Sequence, residues 1–561
     1  MPVPAPAPAD STSGPVIRFP IDGAAPELDP HRARANDSFR ALSLLYDTLY
    51  VWAPATDKLP AHVKPLLAED WPAVSEDGLT LTIKLRKGVK FHNHRCFGKE
   101  RTRDLTARDV VDSLKRAVVC GEDGMGWLMY GLIDGLDDYA AKARNNLDYG
   151  ANDTAVAGLT AADDLTVVIK TTRPFAAICS MLAHPGFSIL PREAINGDIG
   201  KLSERALGTG PYRLQAFALQ ALVIFKRFEG YWGEKPYYAR VVWSLLRYWE
   251  QYTRDFSAGT ISEIQIYPRY HDQVVIDGKL AGDLAESGGV LHNTIEHGYY
   301  FVAFNMEDKV WGARDADGRK LRRAVSMALD RAACIESAGQ DPRWHAAQGG
   351  VLPDGTVFND SAGQPAYGKQ DLDAAKKVLA ETKYKGGIDP DTGKALTLEL
   401  MSTDVPLYNA VTSALRGALS ALGMRLSVRY VKGNDYRDKL HETEQQAVIG
   451  GWFLDYPDPV NFLQLFHSRN SRKNLEFQNI ARYNNPDFDK AHDEYTSLPP
   501  SAANLPRMRE LVVTMTRLLA EDQPTIALTH EKHCHVRSGK IEWPAAAPQS
   551  HSDLRYVQEK Q

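Results

Sequence analysis

Two periodicities alternate along the chain. Residues 79–85 (LTLTIKL) switch between apolar and polar at every position and run into Arg86-Lys87-Gly88, which predicts a half-buried strand closed by a turn. Residues 165–170 (LTVVIK) repeat the pattern after an Asp163-Asp164 turn. Between them Thr106, with Asp109 three places on, precedes Val110, Val111 and Leu114, the signature of a capped helix. Upstream, Leu42, Leu45, Tyr46 and Leu49 recur at helical spacing after a turn at Asp29-Pro30. Strands and helices interleave from the outset, so the class is mixed α/β.

The second half behaves alike. Residues 299–304 (YYFVAF) read as a buried strand, and Leu321, Ala324, Val325, Ala328, Leu329 and Ala332 as one continuous core-facing helical stripe. A capped helix from Asp371, a strand at 395–401, a helix at 411–422 and a strand at 425–430 describe a second α/β lobe. A long helix at 508–520 leads to a strand at 525–529. With no repeat or low-complexity linker between the halves, more than one crossover strand is expected to join them.

Composition narrows the function. A chain of 561 residues, 43% hydrophobic and 24% charged, holds several compact units of about 150 residues each. Its net charge of -5, from 66 basic and 71 acidic residues well mixed along the chain, gives no field suited to a phosphate backbone, which argues against nucleic acid. No apolar run approaches the about 18–20 residues that span a bilayer. The five cysteines, Cys96, Cys120, Cys179, Cys334 and Cys534, form no CxxC pair and allow at most two bridges. Residues 1–14 (MPVPAPAPADSTSG) read as a disordered tether without the basic and apolar regions of a signal peptide, so the signal of an exported protein would lie before this numbering.

No GxSxG elbow, HExxH helix, Walker loop or strand-GxGxxG-helix unit occurs, so no enzyme, catalytic residue or cofactor is expected. Asp455 and Asp458 are a carboxylate pair that a hydrolase would use in a cleft, a distant alternative. His92, His94 and Cys96, and His533, Cys534 and His535, are ligand types for Zn, Ni or Cu if folding joins them. Histidines in turn-rich loops are more often solvated, and no metal site is assigned.

Several stretches, in order, resemble the bacterial extracellular solute-binding proteins of family 5, the oligopeptide- and dipeptide-binding receptors of ABC importers. They are Leu67-Ala68-Glu69-Asp70-Trp71, residues 75–80 (SEDGLT), 85–91 (LRKGVKF) and 105–113 (LTARDVVDS), then 208–212 (GTGPY), Phe304-Asn305, 322–331 (RRAVSMALDR) and 451–459 (GWFLDYPDP). The resemblance implies a two-lobed periplasmic-binding-protein-like fold of type II, large, with an extra subdomain in the first lobe. It places lobe I at 15–290 and 533–561, the inserted subdomain at about 60–180, and lobe II at 291–532. It further implies a monomeric receptor in the periplasm or on the outer face of the cytoplasmic membrane, serving a membrane ABC permease and closing over a short peptide or related amine-bearing solute. A non-peptide ligand (oligosaccharide, opine or nickel complex) is the alternative.

A receptor for varied peptides must hold what all peptides share, the backbone and a charged terminus. In the family the carboxylate of the W-x-x-D-Y/N segment pairs with the peptide α-ammonium, a position held here by Asp455. The resemblance then assigns Gly451, Trp452 and Phe453 to backbone hydrogen bonds, with Trp452 walling a side-chain pocket, and adds Tyr456 to the ligand-binding set. A turn aspartate before Pro457 and a core tryptophan are the competing readings of Asp455 and Trp452, and Asp458 fits a turn better. Residues 208–211 are read as a turn. Dipeptide-selective relatives carry an arginine for the ligand carboxylate in the loop that here reads Ser402-Thr403-Asp404-Val405-Pro406-Leu407-Tyr408, with no basic residue. That departure disfavours a strict dipeptide receptor.

Overall fold

The alternating segments pair as the pattern requires. Thr80–Lys84 lies antiparallel to Thr166–Lys170, and Leu81, Ile83, Val167 and Ile169 are all buried on one face. Ala73–Val74 and Leu159–Asp163 flank them in a four-stranded sheet. The helix Ala107–Cys120 packs on this sheet and opens with the expected capping box between Thr106 and Asp109. Asp109 also takes Arg103, at 2.6 Å, and Arg103 reaches Glu193 at 2.7 Å. The computed structural model describes the chain apart from residues 1–13, 22–24, 54–61, 146–153, 198–200, 219–221, 246–247, 339–344, 347–349, 354–355, 357, 359–368, 441–444, 457, 472–477, 499–503, 545–553 and 561. The expected tether, apart from Gly14, lies outside the described residues.

A second four-stranded sheet runs in the order Val16–Ile21, Arg240–Leu245, Leu222–Arg227, Tyr212–Ala218, with only the first pair parallel. The third sheet has the order Glu263–Ile266, Thr525–Ser538, Gly289–Phe304, Ala447–Phe453, Thr397–Ser402, Arg425–Tyr430, and His345–Ala346 pairs with Thr525–Ser538 beside this path. Thr397–Ser402 and Arg425–Tyr430 are parallel and joined through the helix Pro406–Ala421, the β-α-β unit read from the sequence.

Gly289–Phe304 and Thr525–Ser538 are the longest strands and form one antiparallel ribbon, with a register shift between Ile295 and Tyr299. At one end Cys534, Val536 and Leu291 pack with Tyr252, Phe256, Ile264 and Ile266 in a small core. At the other end Tyr299, Phe301, Val302, Phe304, Ile526 and Leu528 belong to the main core. The ribbon therefore runs from one core to another, and both strands are much longer than the apolar runs at 299–304 and 525–529 predicted.

The single helical stripe expected from Leu321 to Ala332 breaks in two. Ala316–Ala328 ends at Leu329, which turns extended, and Asp330 caps a new helix, Arg331–Ser337, by accepting the Ala333 N–H at 3.0 Å. An aspartate offers the backbone a capping bond that competes with continuing the helix, and here the cap prevails. The motif arginines on this segment are structural. Buried Arg322 donates to the carbonyls of Trp311, Ala313, Asp522 and Gln523, and buried Arg331 to those of Ser326 and Ala527. All five cysteines are unbridged.

Candidate functional site

The candidate ligand segment starts as a strand and ends as a loop. Ala447–Phe453 pairs with Gly289–Phe304 along its whole length, from Ala447 opposite Phe304 to Phe453 opposite Gly298. Its other neighbour, Thr397–Ser402, stops pairing at Met401 opposite Val448. The Tyr436 hydroxyl then takes over, receiving the Ile449 N–H at 3.1 Å and donating to the Ile449 carbonyl at 2.8 Å. Beyond Ile449 the outer edge of residues 450–453 has no strand partner among the described residues, a row of backbone groups open to an extended guest.

Two glycines let this edge lie close to the sheet. A Cβ on Gly450 would sit 2.7 Å from Ile480 and 2.8 Å from the Phe301 ring, and one on Gly451 would sit 2.9 Å from the Tyr300 ring. Phe453 is exposed and meets Tyr300 edge to face at 5.6 Å. Trp452 meets Trp127 edge to face at 5.9 Å, so a ring from the helical turn Gly126–Met129 closes one side of the segment.

Asn461 organises the turn that follows. Its Oδ1 accepts the Trp452 indole N–H at 2.9 Å and the Asp455 backbone N–H at 3.2 Å, while its Nδ2 donates to Asp455 Oδ2 at 3.0 Å. Asp455 keeps some surface toward solvent, yet protein atoms crowd its carboxyl so closely that burial pushes its pKa up to about 7, against the pull of the Asn461 amide. Asp458 does turn work, as its sequence context implied: Oδ1 accepts the Val460 N–H at 2.9 Å and the Tyr495 hydroxyl at 3.1 Å. Tyr456 is buried and meets Phe175 edge to face at 6.5 Å.

Tyr456 borders a cavity of about 110 Å³ whose other walls include Trp127, Arg173, Phe175, Arg469 and His492. Composition and spacing did not single out these residues, nor Asn461. The one local signal is Arg173-Pro174, because a residue before proline is pushed extended and so carries its side chain away from helical packing.

Among the described residues, neither of the two His/Cys groups that could have held a metal comes together as a cluster. His92 is buried, with Nε2 at 2.8 Å from the Gly210 carbonyl and Nδ1 accepting the Gly208 N–H, so it locks the 208–211 turn. His94 accepts the Cys96 N–H at 3.2 Å as a cap. The Cys534 side chain turns into the small core, away from His533 and His535. Among the described residues His467, His492 and Asp493 do bring ligand-type atoms within 4.8 Å of one another. The Arg469 guanidinium, however, pairs with Asp493 and lies 2.9 Å from His467 Nε2, on the atoms a cation would need.

Residues 62–474 match the family of bacterial extracellular solute-binding proteins, family 5 Middle. The chain belongs to this family. It is 26% identical over 474 residues to the dipeptide-binding protein of Escherichia coli K12, covering 82% of this chain and 80% of that protein. It is 27% identical over 444 residues to heme-binding protein A of Haemophilus influenzae, covering 78% and 74% respectively. The solved structure of HbpA2 from Haemophilus parasuis superposes with a TM-score of 0.74 at 20% identity, over 97% of this chain and 100% of that one. The chain thus has the two-lobed α/β fold of periplasmic binding proteins and is an extracellular solute-binding protein. No helix among the described residues is long and apolar enough to cross a membrane.

Proposed function

We propose that this protein is the extracytoplasmic receptor of an ABC importer and captures a short peptide or a related amine-bearing solute for a membrane permease. The observation that carries the reading is the open edge of residues 450–453 leading directly into Asp455, whose carboxyl is crowded by protein atoms, with burial pushing its pKa up to about 7. A peptide laid on that edge gains strand-like hydrogen bonds, and its α-ammonium stabilises the Asp455 carboxylate that burial disfavours. Trp452, fixed by Asn461 and Trp127, walls the first side-chain pocket. Gly451 and Phe453 offer backbone groups, and Tyr456 closes the far side. Lobe I then comprises about 15–290 and 533–561, with its subdomain at about 60–180, and lobe II 291–532; the division falls on the two strands of the long ribbon, the natural hinge for closure. The protein acts as a monomer with no catalytic role, released into the periplasm or held at the outer face of the membrane.

Relatives named for dipeptides and for heme bear on ligand class in different directions. A thermal-shift panel of tripeptides, amines and oligosaccharides on wild type and Asp455→Asn separates them. The peptide reading expects a rise in melting temperature with tripeptides that disappears in the variant. A rise with sugars alone, equal in both proteins, would overturn the ligand and leave the receptor.

A further inference from the structure

The cavity beside Tyr456 is lined by two arginines. Arg173 enters it from a segment that docks through a bond from the Ala176 N–H to the Thr496 carbonyl at 2.7 Å. Arg469 lines the same cavity from a separate segment. The Arg173 guanidinium reaches the Gly131 carbonyl at 3.3 Å and lies over the Phe175 ring at 5.9 Å, and no carboxylate of the described residues lies within 4 Å of it. Burial first, and then the charge of Arg469, push its pKa below the ordinary arginine value, against a smaller pull from Tyr456 and from Asp493, the carboxylate that pairs with Arg469. Arg469 is anchored on Asp493 and His467.

A third group awaits a partner. His492 is 5% exposed, lines the cavity, and has no hydrogen bond at either ring nitrogen. Buried polar atoms are rarely left so, and such an exception calls for a missing group. Burial keeps this ring neutral, so one of its nitrogens carries a hydrogen available to an acceptor. The volume, about 110 Å³, exceeds the about 10–15 Å³ that one water needs on the same measure.

We propose that this cavity is an anion subsite in which Arg173 and Arg469, with His492 as a further donor, hold the carboxylate end of the bound solute. The identity of that end rests on the peptide reading above. A carboxylate presents two oxygens that match the guanidinium fork, and it removes the repulsion between the two arginines. Tyr456, which borders the cavity, follows Asp455 directly in the chain, so the proposed ammonium site and anion subsite are served by adjacent residues. The subsite also accounts for residues 402–408, where the chain has no basic side chain: the cation for the carboxylate comes from two other segments.

The test is calorimetric titration with trialanine, its C-terminal amide, its N-acetyl form and glutarate, on wild type, Arg173→Gln and Arg173→Lys. The subsite predicts that wild type binds the amide about 10- to 100-fold more weakly than the free acid. The gap closes in Arg173→Gln and persists in part in Arg173→Lys. Equal affinity of wild type for acid and amide overturns the subsite and leaves the ammonium pairing standing. N-acetyl-trialanine binding as well as trialanine, with the amide still weak, overturns the ammonium pairing and keeps the subsite. If no trialanine form binds, glutarate binding that is lost in Arg173→Gln keeps the subsite for a non-peptide anion, and its absence overturns it. The wild-type comparison of acid and amide needs no variant to fold.

Discussion

Two carboxylates crowded by protein, Glu263 and Asp455, are driven in opposite directions. Burial raises both, but at Glu263 the guanidiniums of Arg40 at 2.8 Å and Arg537 at 2.7 Å outweigh it and hold the carboxyl well below its ordinary value. At Asp455 the Asn461 amide does not outweigh burial, and the pKa rises to about 7. Glu263 lies on the strand next to Thr525–Ser538, where its ion pairs tie the helix Asn36–Leu45 to the ribbon. Its charge is spent on holding the fold. Burial makes the charge of Asp455 costly instead, and on the proposed reading a bound ammonium offsets that cost.

The comparison breaks first at Glu263. Glu263→Gln removes the carboxylate shared by a buried guanidinium, Arg537, and a half-buried one, Arg40, and we expect a loss of about 3–5 kcal/mol in chemical denaturation, with ligand affinity unchanged. If this variant keeps wild-type stability, the ion pairs are ornamental and the contrast fails.

Asp455→Asn should act with the reverse sign. A folded-state pKa raised to about 7 from 3.8 favours the folded protein while the group is protonated; that contribution is complete below about pH 4 and is lost as pH rises through 7. An asparagine never ionises, so at pH 8 the variant should be more stable than wild type by at most about 4 kcal/mol, with the two converging near pH 4. Affinity for an amine-bearing peptide should fall by about 100-fold. A variant less stable than wild type at pH 8 would mean that Asp455 is a structural turn residue.

The same linkage governs binding in the wild type. An ammonium partner lowers the Asp455 pKa, so binding releases a proton wherever the free carboxyl is protonated. Between about pH 5 and 7 affinity should rise by up to tenfold per pH unit, then level until the ligand amine loses its own proton near about pH 8. Calorimetry in buffers of different ionisation enthalpy reads the released proton directly. A flat profile in wild type, matching that of Asp455→Asn, would remove the ammonium from the site.

What the sequence made legible follows from how local each signal is. The strand Thr80–Lys84, the capping box at Thr106 and the β-α-β unit closed by Arg425–Tyr430 rest on neighbours a few residues apart, and all three form. The segment from Gly451 to Asp455 enters as the proposed site through its resemblance to a family motif. Asn461 was not, because only the tight turn through Asp458 brings its amide back onto Trp452 and Asp455. Arg173 and Arg469 were not either, since no periodicity reports that two arginines far apart in the chain will face one cavity. The break at Leu329 was missed because apolar spacing outvoted Asp330, a strong cap hidden in a helical stripe.

The smallest effect probes the other half of the site without touching its charge. In Gly451→Ala the added Cβ would lie 2.9 Å from two atoms of the Tyr300 ring, a side chain that also carries the edge contact with exposed Phe453. The ring must shift, at a cost of about 1–3 kcal/mol, and the open backbone edge moves with it. On the proposed reading, in which the edge serves the ligand backbone and not its termini, trialanine and its amide should weaken by the same factor, under about tenfold, and the pH profile set by Asp455 should keep its slope. If Gly451→Ala instead flattens that profile, edge and carboxylate are not separate devices, and Asp455 senses the strand, not the ammonium.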